Sequence, residues 1–124
     1  MSRRLVLALL ATLPAGCASL GPGAPVSLAT ADGATRYDGI RARGGVDQVR
    51  LSASGGTDCA GDLRPTTETA TGAPADFGAI LCEDGASGIL LFSGGAGARG
   101  GEVSGIMARR SVSGRWGAGP GAGA

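Results

Sequence analysis

From Val26 onward, apolar residues alternate with polar ones in short runs, and turn residues punctuate the runs. That is the two-residue period of strands; no stretch after Cys17 holds a helical period for three turns. Asp32-Gly33 divides Val26–Ala31 from Ala34–Ile40. A two-residue type I′ turn there predicts Leu28 opposite Tyr37 and Val26 opposite Gly39, with Ser27 and Arg36 on the other face. Asp84-Gly85 divides Phe77–Glu83 from Ala86–Phe92 in the same way and predicts Ile80 opposite Ile89 and Phe77 opposite Phe92. Ile80, Cys82, Ile89 and Leu91 then share one face, and Phe77, Leu81, Leu90 and Phe92 the other. A hairpin apolar on both faces is expected at the centre of the domain, covered on each side.

Gln48–Ser54 and Thr57–Leu63 read as two more strands, and Arg64–Asp76 as a polar loop that returns the chain. Gly94–Gly101 is a Gly-rich connection. Val103–Met107 and Val112–Trp116 both carry Val-Ser-Gly and predict a last hairpin across Ala108–Ser111. The fold class is therefore all-β, a small antiparallel sandwich or barrel-like domain of short hairpins. The β domain is expected over residues 26–116, with residues 117–124 as a disordered tail.

The start of the chain is of another kind. Arg3 and Arg4 precede Leu5–Leu13, a nearly unbroken apolar run, and Pro14-Ala15-Gly16 forms a small-residue cleavage neighbourhood before Cys17. Nine helical residues span only about 13 Å against a bilayer core of about 30 Å. Residues 1–16 therefore read as a signal helix rather than a transmembrane one. Leu13-Pro14-Ala15-Gly16-Cys17-Ala18-Ser19 resembles the lipobox of bacterial lipoproteins. The resemblance covers residues 1–19 only, and Pro14 stands where that family prefers Leu. It implies cleavage before Cys17, lipidation of Cys17, and a Gly/Pro tether over residues 17–25. Ala18 and Ser19, rather than Asp, imply the periplasmic face of the outer membrane. The alternative is ordinary secretion with a cut after Ala18, leaving an unanchored periplasmic or secreted domain. Ser2-Arg3-Arg4-Leu5-Val6-Leu7 also resembles part of a twin-arginine export signal.

Composition sharpens this picture mainly by exclusion. The chain has 11 basic residues, all Arg, against 10 acids, so it is nearly neutral once Arg3 and Arg4 are removed. No basic patch points to nucleic acid. The absence of His and Lys excludes Ser-His-Asp and Cys-His pairs, His zinc sites and Walker phosphate loops. Gly95-Ala96-Gly97-Ala98-Arg99-Gly100 matches G-x-G-x-x-G, but no helix pattern follows it, and 25 glycines make such a match unremarkable. Neither a nucleotide nor any other cofactor is expected. A domain this short and poor in aromatics usually needs a covalent staple, and Cys59 with Cys82 is expected to supply one as a disulfide.

Carboxylates are the chemistry that remains. Asp58 and Asp62 lie on one strand face around Cys59, and Glu83 and Asp84 sit in a turn. Convergence of such acids would suit a carboxylate-based hydrolase or a Ca²⁺ site. Solvated surface positions are the plainer expectation. Arg109 and Arg110, with Arg99 and Arg115 near them, are expected to keep an edge hairpin soluble, or to touch anionic lipid or a partner. Taken together, the expected function is non-catalytic: an envelope-anchored lipoprotein carrying a structural or interaction domain, with an envelope protein as its partner. An unanchored ligand-binding or inhibitor domain and a small carboxylate-based hydrolase are the alternatives.

Overall fold

The computed structural model describes residues 23–94 and 98–117, all in strands and turns. The strands are β1 (Gly23–Thr30), β2 (Arg36–Ala42), β3 (Gln48–Ala53), β4 (Asp58–Asp62), β5 (Arg64–Thr67), β6 (Pro74–Cys82), β7 (Ser87–Ser93), β8 (Gly100–Met107) and β9 (Arg110–Gly117). Except between β4 and β5, each pairs antiparallel with its neighbour in sequence, and β9 returns to β1. β4 and β5 lie along β6 in one common register, Cys59 opposite Cys82 and Arg64 opposite Phe77, so they act as a single bent strand. The result is a closed eight-stranded up-and-down barrel. Closure leaves few exposed strand edges for unwanted pairing.

An eight-stranded barrel is just wide enough for side chains to fill it. Here the inward positions supply Leu28, Val49, Leu90, Phe92, Val103 and Trp116, all at or below 2 % exposure. Phe92 and Trp116 meet edge to face, with ring centroids 6.1 Å apart. The Trp116 indole N–H donates to the Ser93 carbonyl at 3.0 Å, so its polar atom is not stranded in the core.

The first hairpin has the expected register, Leu28 opposite Tyr37 and Val26 opposite Gly39. Its loop is wider than a type I′ turn. Thr30 N–H donates to Thr35 O (3.0 Å), and Gly33 N–H donates back to Thr30 O (2.8 Å). Because the wider loop is centred on the same Asp32-Gly33 pair, the register survives.

The second hairpin departs from expectation by one residue. Gly85 N–H donates to Cys82 O (2.9 Å), and Cys82 N–H donates to Ala86 O (2.8 Å). Gly85, at φ 92°, is thus a bulge residue after the turn rather than the second turn residue. The pairs are Ile80 with Gly88 and Phe77 with Leu91, not Ile80 with Ile89 and Phe77 with Phe92. A slip of one residue exchanges a strand's two faces. Ile80, Cys82, Leu90 and Phe92 point inward, while Phe77, Leu81 and Ile89 point outward and are exposed. The expected covering of both faces is absent from the described residues.

Three smaller corrections follow. The segment expected as a loop over Arg64–Asp76 forms β5 and the start of β6, leaving a turn over 68–73. Pro65 is tolerated because β5 pairs only with β6 and forms the end of the sheet order. The last turn is tighter than Ala108–Ser111: Met107 pairs with Arg110 around Ala108-Arg109, both at positive φ. β1 begins at Gly23 and β9 runs to Gly117, so the barrel takes in the end of the expected tether and the first residue of the expected tail. The expected signal helix, Cys17, the core of the G-x-G-x-x-G match and the rest of the expected tail lie outside the described residues.

The seam between β4 and β6 has the fewest pairs, Cys59–Cys82 and Ala60–Leu81. There the strands approach closely. A Cβ on Gly61 would collide with the Ala79 carbonyl oxygen, and one on Gly78 would lie 2.6 Å from the Asp62 oxygen. The Cys59–Cys82 disulfide staples this seam. Closing a loop of its length is worth about 3 kcal/mol in the chain-entropy account.

Candidate functional site

The barrel has two ends. The start of β1, the 43–47 and 68–73 loops and the end of β9 share the lower one; the 31–35, 54–57 and 83–86 loops and the Ala108-Arg109 turn share the upper. Its outer surface is also divided. Along β9, β1, β2 and β3 the outward residues are mostly Ser, Arg, Asp and Gln, with Ile40 the large apolar exception at 45 % exposure. Along β6, β7 and β8 they are mostly apolar. Phe77, Leu81, Ile89 and Ile106 are 39, 65, 59 and 53 % exposed. Strand pairing makes them one patch. Phe77 lies level with Leu91 and Ser104, and Ala79 lies level with Ile89 and Ile106. Together they form one continuous exposed apolar surface. Four charges frame the patch: Glu83 and Arg109 above, Glu102 below, and Arg64 beside Phe77. Among the described residues these four form no ion pair.

A second cluster closes the lower end. Arg41 occupies an inward position of β2 and is 3 % exposed. Its Nη2 donates to Asp76 Oδ2 at 2.7 Å and to Asp47 Oδ2 at 3.0 Å, and its Nε donates to Asp47 at 3.2 Å. The guanidinium carbon lies 4.4 Å from the Trp116 ring centroid and 5.4 Å from that of Phe92. Cation–π attraction and two carboxylates thereby offset the cost of burying the charge. Nη1 is buried without a hydrogen-bond partner among the described residues. Two aromatic rings and the partners of two of the guanidinium nitrogens are supplied by the protein, so the cluster reads as a plug that pins the 43–47 loop and β6 to the core.

The two acids expected on β4 are not brought together. Asp58 and Asp62 both point outward from β4, but Ser52 Oγ donates to Asp58 (2.9 Å) and Gln48 Nε2 donates to Asp62 (3.2 Å). Asp58 lies in a shallow cleft with Asp38, Arg50 and Glu83; Asp62 lies in another. Among the described residues no three metal-ligating side chains converge. The arginines are likewise separated. Arg110 donates to Asp32 Oδ2 at 2.7 Å, tying the last turn to the β1–β2 loop. Hydrogen bonds from the Ala34 amide, the Thr30 hydroxyl and then Arg110 hold Asp32 well below the usual carboxylate range. Arg109 instead sits at the upper corner of the apolar wall.

Neither principal feature was singled out from the sequence as a site. For the wall, the signal was present in the two-faced hairpin but read as a covered core. For Arg41, the signal was its parity with Tyr37 and Gly39 on β2, which places it inward. The chain matches no family model, no curated protein and no solved structure.

Proposed function

We propose that this chain is an envelope-anchored lipoprotein whose barrel presents the β6–β8 wall to a protein partner. The exposed apolar wall carries the docking half of the reading. A closed small barrel has no folding reason to place Leu81, Ile89 and Ile106 outward, and continuous exposed apolar surface favours association. The anchoring half rests on the lipobox-like residues ending in Cys17. The Cys59–Cys82 disulfide supports export, since such bonds persist in oxidising compartments. From Cys17 to Gly23 the chain reaches at most about 20 Å, so an anchor there holds the lower end of the barrel against the membrane and leaves the wall standing to the side. Cys17 is the acyl acceptor, the partner is an envelope protein, and the domain works without a cofactor.

Intact-mass measurement of the mature protein from its native envelope tests the anchor. A chain beginning at Cys17 with diacylglyceryl and acyl groups is the expected result. A bare chain beginning at Ser19 overturns the lipoprotein reading and leaves a secreted domain.

A further inference from the structure

The wall is patterned as well as apolar, and the pattern fits itself. Take β7 as its midline, with β6 on one side and β8 on the other. At the lowest level β6 carries Phe77 and β8 carries Ser104. At the next, β6 carries Ala79 and β8 carries Ile106. At the third, Leu81 lies opposite Ser87, whose carbonyl accepts from Ala108 N–H at 2.9 Å, so Ala108 stands on the β8 side. Each level is large on one side and small on the other, and the order alternates. Above them Glu83 ends the β6 side and Arg109 the β8 side; Arg64 stands level with Phe77 on the far side of β6, and Glu102 lies on β8 one level lower.

We propose that the occupant of this wall is a second copy of the same chain, docked about a two-fold axis running along β7. Such an axis brings β6 of one copy over β8 of the other at the same level. Phe77 then faces Ser104, Ala79 faces Ile106 and Leu81 faces Ala108 of the other copy. At the upper corners Glu83 meets Arg109. A two-fold interface is self-complementary in this sense, each contact occurring twice. The charges alone permit a second arrangement, with the axis across the strands, because that also sets acid against base. Side-chain size on β6 and β8 decides between them, since Ile89 meets Ile89 about either axis. The crosswise axis stacks Phe77 on Leu81 and Ile106 on Ile106 while leaving Ala79 against Ala79. The lengthwise axis also keeps both β1 starts at the same end, as two copies anchored in one leaflet require. The inference rests on reading the wall as a protein-docking face and goes beyond it by naming the partner.

The chain contains no lysine, which makes a selective test available. Arg109→Lys, made in the full chain and expressed with its own signal, places one side-chain amine beside the carboxylate of Glu83 in the other copy. Zero-length carbodiimide coupling in the native envelope should then give a covalent species of twice the chain mass on a reducing, denaturing gel. Adding Glu83→Gln should remove it, adding Glu102→Gln should leave it, and adding Ile106→Glu should reduce it at least tenfold. Loss with Glu102→Gln instead of Glu83→Gln overturns the lengthwise axis. Coupling only to a chain of another mass overturns self-association while leaving the docking face intact. No coupled species at all, together with no effect of Ile106→Glu on the size of the native assembly, overturns both. Folding of each variant is checked by its unfolding midpoint, so an unfolded variant is not read as a lost contact.

Discussion

The β1–β3 wall and the β6–β8 wall are built alike and used differently. Both are antiparallel meanders with buried residues at alternate positions, Val26, Leu28 and Tyr37 in one, Ile80, Leu90 and Phe92 in the other. Their outward positions differ. Ser27, Asp38 and Arg50 face water on the first, and Leu81, Ile89 and Ile106 on the second. The inner alternation specifies the barrel, and it would do so with either outer set. The outer set is therefore free to record what the barrel meets. Polar residues keep one wall solvated; the apolar wall loses solubility and gains a surface that association can cover.

Substitutions on either side of one strand should separate these roles most sharply. Phe92→Ala removes a fully buried ring beside Trp116 and should cost about 3–5 kcal/mol in denaturant unfolding. Ile89→Ser on the same strand points outward and should change the stability of the isolated chain by less than about 1 kcal/mol. Equal costs would mean that the outer wall is part of the core.

Arg41 gives an effect of similar size by another route. Arg41→Met leaves Asp76 buried without its cation and should cost about 3–5 kcal/mol. Arg41→Met with Asp76→Leu should recover more than about 1 kcal/mol of that loss, because no charge then remains buried. A double variant no more stable than the single one would show that Arg41 acts through packing alone.

The disulfide should matter less, and equally for both walls. Cys59→Ala with Cys82→Ala should lower stability by about 3 kcal/mol, read as a shift in urea midpoint at unchanged slope. The smallest effect belongs to the upper end. Asp32 is held below its unfolded value, so the stability it contributes is present above about pH 4 and is lost as the pH falls. Midpoints of Asp32→Asn should therefore fall less steeply than those of the parent between pH 5 and pH 2.

These two walls also differ in how legible they are in the sequence. Alternation around Asp32-Gly33 fixes Leu28 opposite Tyr37 whether the loop holds two residues or four, because both loops share a centre. Around Asp84-Gly85 the same dipeptide has two uses, as a turn pair or as a turn residue and a bulge. Flanking strands apolar on both faces offer no preference between the registers. That ambiguity hid which of Leu90 and Ile89 faces inward, and with it the exposed wall. β5 was obscured by Pro65, which reads as a breaker unless the strand is known to lie at the end of the sheet. Arg41 was missed because a charged residue is assigned to the surface until its partners are known, and Asp76 lies 35 residues away. The disulfide was legible because the described β domain holds no other cysteine than Cys59 and Cys82.

The division of the walls is tested most directly by hydroxyl-radical labelling of the chain in its native envelope and as a dilute purified protein. Leu81, Ile89 and Ile106 report on the apolar wall, and Ile40, exposed on the polar side, is the internal standard. The account predicts that labelling of the three wall residues falls several-fold in the envelope relative to Ile40. Equal labelling in both states would mean that nothing covers the wall where the protein works, and would contradict it.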